Sequence, residues 1–541
     1  MSPRAYARTL LRDDLVAAFV VSVLLIPQSL AYAMLAGLPP QVGLYASLLP
    51  LLAYAALGSS PVLGVGPVAV LALMIVQALG ALPAGVTASE GALMLAFEIG
   101  LVLALAALLR LDALASLLSV PVLHGFETGA TLAIALSQVP VLLGSPVRGE
   151  DLPALLQHAQ QAGYPWHAIS AAFGLAVCVL LLGARRWLAG TLGRLAPLVL
   201  LLASIAIAWA AGLNRSGVAL VGALPELHVP LGLPPLNLAL AMQLAPSALL
   251  IALMAYVSSL VVSESLARRR GERVDARREL AGLAGANVVA ALSGGMPVAG
   301  SFSRSVLLHD AGSRSRMSIA FVAGFMGLAM LALAAPLAWL PKSVLAATII
   351  VAVLSGFNLQ PYRDAWRYAR PEALLMIVVT VIVVCVSVGM GLGVGVLGSI
   401  ALMLQRTARP HVALIGRIPG TEHYRNIDRY AVECVPDVLG LRIDESLLFT
   451  NARTLADVVQ AHITSHPGTQ RVLLQMSPVN QIDFSGLEAL RELHDSLKHQ
   501  GLRLDLSEVK GPVLDRLRES GWQRWFEGQV FLSHHQGMTT A

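Results

Sequence analysis

Charge is scarce in this chain. Asp, Glu, Lys and Arg make up 13% of its 541 residues, about half the share of a soluble domain. A hydrophobic fraction of 56% and a mean hydropathy of +0.72 go with that scarcity. A large water-soluble enzyme is excluded, and a polytopic membrane protein is expected. Cysteine is scarcer still. Cys178, Cys385 and Cys434 stand far apart, which suits neither a disulfide framework nor a zinc site. No His/Cys/Asp cluster has metal-ligand spacing, and no nucleophile motif stands on a soluble strand–turn–helix. No Gly-rich run after a strand carries the Lys-Ser/Thr of a phosphate loop. The expectation is therefore a protein without metal or other cofactor, not an enzyme, and with no nucleic-acid partner. Residues 2–14 are charged, and the apolar run behind them has no small-residue cleavage site. No cleavable signal peptide is read there.

Apolar runs follow one another from about Leu15 to Leu404. Beyond Arg406 charges are frequent, and no run reaches the ~20 residues that a bilayer crossing needs. The expected division is an N-terminal segment over 1–14, a transmembrane domain over 15–405, a linker over 406–435 and a soluble domain over 436–541. About fourteen membrane segments are expected. Arginines fall in alternate loops: Arg4, Arg8, Arg12; Arg110; Arg185, Arg186, Arg194; Arg268–Arg270, Arg273, Arg277, Arg278; Arg314, Arg316; Arg363, Arg367, Arg370; and Arg406, Arg409. The opposite loops hold only Arg148, Arg215 and Lys342. The positive-inside rule then puts both termini in the cytoplasm of a cell whose plasma (inner) membrane the chain spans.

Two short segments break the apolar pattern. Gly66-Pro67-Val68-Ala69-Val70 lies in one half of the chain and Met296-Pro297-Val298-Ala299-Gly300 in the other. Seven segments per half is an odd number, so the second half enters from the opposite side and the repeats are inverted. Paired interrupted segments in inverted halves point to a transporter's binding site. Residues 294–305, GGMPVAGSFSRS, hold glycines, a proline, three serines and an arginine. Proline cannot donate a backbone hydrogen bond and glycine loosens the helix. An extended stretch up to Gly300 and a short helix from Ser301–Ser303 are expected. The first N–H groups of such a helix are free and carry about half a positive charge. Two of these termini facing each other attract an anion. Arg304 adds a full charge, and Ser301 and Ser303 add donors. An arginine at mid-membrane costs at least ~2.5 kcal/mol, so its presence needs a reason.

These residues carry a resemblance. Pro27-Gln28-Ser29-Leu30-Ala31-Tyr32-Ala33, then 35–40 LAGLPP and Gly43-Leu44-Tyr45, resemble the signature of the sulfate permease (SulP), or solute carrier 26, family of anion transporters. Gly66-Pro67-Val68-Ala69 resembles its third-segment motif, and Arg278-Glu279-Leu280 through Asn287, then 297–305, its ninth and tenth segments. The resemblance implies a seven-plus-seven inverted repeat with core and gate domains, a homodimer and an elevator motion. It implies that the anion binds at Gln28 and Tyr32, at Val68 and Ala69, at Ser258, and at Gly300, Ser301, Phe302, Ser303 and Arg304. Sulfate, bicarbonate, chloride and dicarboxylates are the substrates it implies, with H+ or Na+ as coupling ion.

One position departs from the family. Bacterial members carry an acidic residue where Ala255-Tyr256-Val257-Ser258-Ser259 offers Ser258. Other carboxylates at membrane depth are Glu98, Glu127 and Glu264. Glu127 reads as the deepest and as the coupling candidate, with His124 as an alternative partner; Glu264 reads as a salt-bridge partner of the arginine cluster. The glycines of 389–398 read as close helix packing.

In the soluble part, strands over 438–443, 471–476 and 502–506 alternate with helices over 452–463, 485–498 and 512–519, an α/β pattern. Asn480-Gln481-Ile482-Asp483-Phe484-Ser485-Gly486-Leu487 resembles the central motif of STAS domains. In some of them the serine matching Ser485 is phosphorylated, which makes Ser485 a regulatory candidate and a cytoplasmic protein a candidate partner. Ser485 and Glu488 are also spaced as a capping box, with Ser485 as N-cap. Two other functions are compatible with parts of this pattern. Nucleobase transporters share the architecture but place carboxylates at the site, where this chain has Ser258 and Ser303-Arg304. A membrane-anchored STAS signalling module would not need both broken segments.

Overall fold

The structure is a computed structural model. It describes residues 10–80, 82–83, 85–111, 119–147, 149, 151–187, 190–222, 229–235, 237–354, 357–408 and 410–540, the backbone alone at 190–195 and 333–334. Arg4, Arg8, Arg148 and Arg409, and the side chain of Arg194, lie outside the described residues. The chain divides into two units, one up to Ser399 and one from Ile400.

The first unit is helical. Its elements are α1 (Leu11–Leu35), α2 (Pro40–Tyr45), α3 (Leu49–Leu57), β1 (Gly64–Gly66), α4 (Ala69–Leu79), α5 (Ala88–Leu108), α6 (Val120–Leu142), α7 (Leu152–Gln161), α8 (Ala168–Trp187) and α9 (Gly190–Ala210). The second half continues with α10 (Leu238–Arg270), α11 (Ala276–Leu292), β2 (Ala299–Ser301), α12 (Phe302–Asp310), α13 (Met317–Leu337), α14 (Lys342–Leu354), α15 (Gln360–Tyr368), α16 (Arg370–Cys385) and α17 (Val388–Ala408). Six passages among the described residues are long and apolar enough to cross a membrane. The fourteen-segment expectation is consistent with this helix order. In each half, one passage is a three-residue strand followed by a short helix.

Helix α1 starts at Leu11, earlier than the apolar run suggests. Asp13 and Asp14 therefore sit in its first turn, where carboxylates suit the helix dipole. Asp14 is fully buried and accepts the backbone N–H groups of Arg314 (2.7 Å) and Ser315 (3.1 Å). The basic loops have a local use as well. Arg277 donates to the carbonyl of Ala107, Arg316 to that of Gly58, Arg270 to that of Ser313 and Arg185 to that of Val351. These carbonyls lie at or just beyond the C-terminal ends of α5, α3, α12 and α14, where cations complement unpaired carbonyls. Those four helix ends therefore share a face with the arginine loops.

Glycines in α17 do pack closely. A Cβ at Gly391 would lie 2.2 Å from Val383, one at Gly395 2.4 Å from Val122, and one at Gly398 2.4 Å from Leu375. The same spacing on one helix thus lets α17 sit directly against α16 and α6.

The second unit holds β3 (Val412–Arg417), β4 (Tyr424–Asn426), β5 (Val438–Ile443), α18 (Ala452–Ser465), β6 (Arg471–Gln475), α19 (Phe484–His499), β7 (Arg503–Ser507), α20 (Gly511–Glu519), β8 (Val530–Phe531) and α21 (His534–Thr539). The sheet order is β4-β3-β5-β6-β7-β8. β5 to β8 pair in parallel, and β3 pairs antiparallel with β4 and β5. The supposed linker 406–435 is thus corrected: it contributes two strands. Their polar, charged flanks hide them, because β4 is an edge strand with only three residues. Leu441 and Leu474 of the sheet pack in one core with Leu455 of α18 and Leu490 and Leu493 of α19. Met538 of α21 joins Leu473 and Phe531 in a smaller core. Arg471 ties α21 down by donating to the carbonyls of Gly537 (2.7 Å) and Thr540 (2.9 Å).

The capping box at Ser485 is also corrected. Helix α19 begins one residue earlier, and Asp483 is its N-cap, accepting from Gly486 N–H at 2.8 Å. Asp and Ser are near-equal caps, and Asp483 prevails because its second oxygen also accepts the N–H of Phe449 (2.8 Å). Ser485 is left exposed in the first turn.

Candidate functional site

The two broken segments meet. β1 and β2 pair antiparallel, Gly64 opposite Ser301, Val65 opposite Gly300 and Gly66 opposite Ala299. Only glycines allow so close an approach: a Cβ on Gly64 would lie 2.7 Å from that of Arg304, and Gly66 holds φ at +145°. Helix α4 starts three residues past Gly66, and α12 starts directly after Ser301. The sequence match through Pro67 and Pro297 therefore slips by three residues. In space Val68 corresponds to Ser301 and Ala69 to Phe302, as the last residues before a helix and the first within it. No side chain caps either N-terminus.

Arg304 bridges the pair. It is 2% exposed, its Nη1 donates to the carbonyl of Pro67 at 2.7 Å, and its Nε reaches the carbonyl of Gly64 at 3.4 Å. Its Nη2 is buried without a partner. The arginine thus binds backbone of the opposite half and keeps one donor in reserve. Tyr32, 7% exposed, lies within electrostatic reach of Arg304. Gln28 has its Oε1 buried without a partner. Ser301 and Ser303 place their hydroxyls 3.3 Å apart. Ser303 is exposed, as is Phe302 at 57%.

Two of the expected ligands have other duties. The N–H of Gly300 donates to Ser259 Oγ at 2.8 Å, so it is already spent. Ser258, the residue singled out in the sequence, reaches only the carbonyl of Ala255 on its own helix, at 3.4 Å. Ser259, Asn287 and Ser305 are the residues that sequence reasoning missed. Asn287 accepts the N–H of Val298 (2.9 Å) and donates to its carbonyl (3.0 Å). Ser305 accepts the N–H of Gly64 (2.8 Å) and donates to the carbonyl of Ser301 (2.6 Å). These three hold the strands that a helical ladder would otherwise hold. A buried asparagine inside an apolar helix was the available signal.

Of the carboxylates expected at membrane depth, Glu127 is less enclosed by protein than Glu98. Its side chain is 52% exposed and lies 3.7 Å from His124. One helical turn brings both onto the same exposed face of α6. Glu98 has both oxygens buried without a hydrogen-bond partner. Glu264 pairs with Arg268 at 3.9 Å.

With this geometry in view, the comparisons with known proteins decide the family. The model of the sulfate permease family matches residues 11–382, and that of the STAS domain matches 429–537. The chain belongs to the sulfate permease family. A probable sulfate transporter of Mycobacterium tuberculosis (strain CDC 1551 / Oshkosh) is 32% identical over 519 residues, 95% of this chain and 92% of that protein. The murine Slc26a9 anion transporter in its inward-facing state shares the fold at a TM-score of 0.88 and 22% identity, over 97% of this chain and 90% of that one. The transmembrane domain of the cyanobacterial bicarbonate transporter BicA matches at a TM-score of 0.64 and 19% identity, over 72% of this chain and 97% of that domain. The family fold is a polytopic helical membrane domain followed by a STAS domain, and members of the family are anion transporters.

Proposed function

We propose that the protein is a secondary transporter of small anions, with sulfate as the first substrate. The observation that carries this reading is the β1–β2 pair: it sets two uncapped helix N-termini beside one buried arginine with an unpartnered Nη2. Helix N-termini, hydroxyls and a guanidinium are the donor set for a tetrahedral oxyanion. Sulfate is favoured because the mycobacterial relative at 32% identity is named a probable sulfate transporter. Gln28, Tyr32, Val68, Ala69, Ser258 and residues 300–304 surround the anion in this reading, with Gly300 positioned by Ser259. The helices bearing the pair move as an elevator against the remaining helices, within a homodimer in the plasma membrane, and the arginine loops lie in the cytoplasm with both termini.

Uptake of radiolabelled sulfate into proteoliposomes tests it, with Arg304→Ala beside the wild type. Saturable uptake in the wild type and its loss in the variant are expected. Inward proton or sodium gradients applied in turn identify the coupling ion. No flux of sulfate, bicarbonate, chloride or succinate in folded dimeric protein would overturn the reading.

A further inference from the structure

A cavity of about 490 Å³ is lined by none of the residues assigned to the anion site, although Ala31 and Leu73 in its wall stand within one helical turn of Tyr32 and Ala69. One wall comes from α1 and α4, which carry part of the anion site. The other comes from α6, α7 and α14. The volume is that of a small organic ligand's pocket. Leucine, isoleucine, valine, methionine and alanine side chains form most of the lining, with five polar side chains among them.

Three of those polar groups are engaged locally. The Ser137 hydroxyl donates to the carbonyl of Ile134 at 2.8 Å. Asp151 caps α7, accepting from Ala154 N–H at 2.7 Å, which suits its charge to the helix dipole. His158 lies in the last turn of the same helix and has a partner. Two groups are different. Gln138 is 7% exposed, and its amide makes only a long contact of 3.4 Å to Ser137. Lys342 is partly buried at the first position of α14, where its backbone N–H donates to the carbonyl of Ala219 at 2.9 Å. Among the described residues no carboxylate lies within 4 Å of its ammonium. Arg148 and Glu150, which flank the lining residue Gly149, are outside the described residues.

We propose that this cavity binds an amphiphilic organic monoanion, with the anionic group on Lys342 and the Gln138 amide and a ring or hydrocarbon body against the apolar walls. A hydrated inorganic anion would leave those walls wet and would be poorly served by a single ammonium. A neutral hydrocarbon would leave Lys342 and Gln138 without a partner, which a buried polar group penalises. Because both walls contribute, an occupant holds α1 and α4 against α6 and α14. If the helices of the anion site travel past the others, as the transport reading requires, the occupant stops them without competing for the anion. Lys342 starts α14, and Arg185 holds the Val351 carbonyl near the other end of that helix, so Lys342 lies at the end away from that arginine.

Naphthalene-2-sulfonate is a suitable probe, with 2-naphthalenemethanol as its neutral counterpart. Binding is measured by calorimetry and thermal shift on the purified full chain, wild type beside Lys342→Gln and Lys342→Arg. The sulfonate is expected to bind the wild type and the arginine variant and to lose at least tenfold in affinity in K342Q; the alcohol binds weakly and equally to all three. In proteoliposomes the sulfonate should lower the maximal sulfate uptake with KM unchanged, and K342Q should resist it. Equal sulfonate affinity in wild type and K342Q, or inhibition competitive with sulfate, would overturn the site. Absence of any sulfate flux would sink the transport reading alone, because the binding measurements still decide the cavity.

Discussion

Arg304 Nη1 lies 2.7 Å from the carbonyl oxygen of Pro67, 237 residues earlier in the chain. The bond joins the two halves of the protein where each interrupts its helix. Burying the guanidinium costs several kcal/mol unless its donors are used. Two of its nitrogens reach backbone carbonyls of the other half, while Nη2 stays unpaired. The same side chain therefore closes the pair and keeps the donor that the proposed anion would take.

Arg304→Lys separates those two roles. Lysine keeps the charge but lacks the planar fork that spans two acceptors. A hydrogen bond to a charged group is worth about 1.5–3 kcal/mol, so anion affinity is expected to fall by roughly tenfold to a hundredfold. Sulfate uptake against concentration reads this as a raised KM. A lysine variant with unchanged KM would mean that the arginine serves the anion by charge alone.

Ser258 and Ser259 are neighbours with opposite duties. Ser259 Oγ is the acceptor for Gly300 N–H, and its loss leaves that buried donor unpaired at about 1–3 kcal/mol. Ser259→Ala is therefore expected to lower the unfolding temperature of the membrane domain. Ser258→Ala breaks only a long contact within its own helix and should leave that temperature unchanged while altering KM for the anion. Thermal unfolding and uptake of the two variants side by side check this. Equal destabilisation would remove the distinction.

Much of this was legible in the sequence. The Gly/Pro interruptions, the lone arginine and the arginine loops announced two opposed half-helices, because few side chains survive at membrane depth without a role. What escaped was register. Pro67 and Pro297 look equivalent, yet α4 starts two residues after the first and α12 five after the second; proline marks a break without fixing where the helix resumes. Ser258 and Ser259 sit about 100° apart on one helix, and nothing local says which faces β2. Glu127 drew attention by standing in an apolar run, but a run gives depth along a helix and not the face a residue occupies. The strand over 424–426 was hidden because a three-residue edge needs no long apolar alternation, and that over 412–417 because its short apolar run stands between charged and polar flanks.

At the start of α19, Asp483 should carry the cap and Ser485 none of it. Asp483→Ala is expected to cost about 1 kcal/mol locally, seen as faster hydrogen exchange at Gly486 and Phe449. Ser485→Ala should stay within about 0.5 kcal/mol, as exposed substitutions do. Ser485→Asp adds a negative charge in the first turn and should slow the same exchange. If Ser485→Ala opened the helix start as far as Asp483→Ala, the capping assignment would be wrong.

His534 gives the STAS domain a pH dependence. Its ring is 1% exposed, Nδ1 lies 2.8 Å from Ser507 Oγ, and Nε2 is buried without a partner. Burial pushes its pKa down from 6.5 to about 4. The unfolded chain titrates near 6.5, so between pH 6.5 and about 4 it binds more protons than the folded domain. Stability therefore falls as pH drops through that window and is level above it. The gap is worth about 3 kcal/mol at its full extent. Asp444 acts lower: burial opposes it, but hydrogen bonds from Arg442 and His411 hold its pKa below 3.8, so its contribution is lost only in stronger acid. Hydrogen exchange in α21, corrected for the intrinsic rate, should rise from pH 7 to pH 4.5 in the wild type. In His534→Gln the rise should be nearly absent, because glutamine carries no proton to gain. Parallel profiles for the two proteins would assign the acid sensitivity to another group.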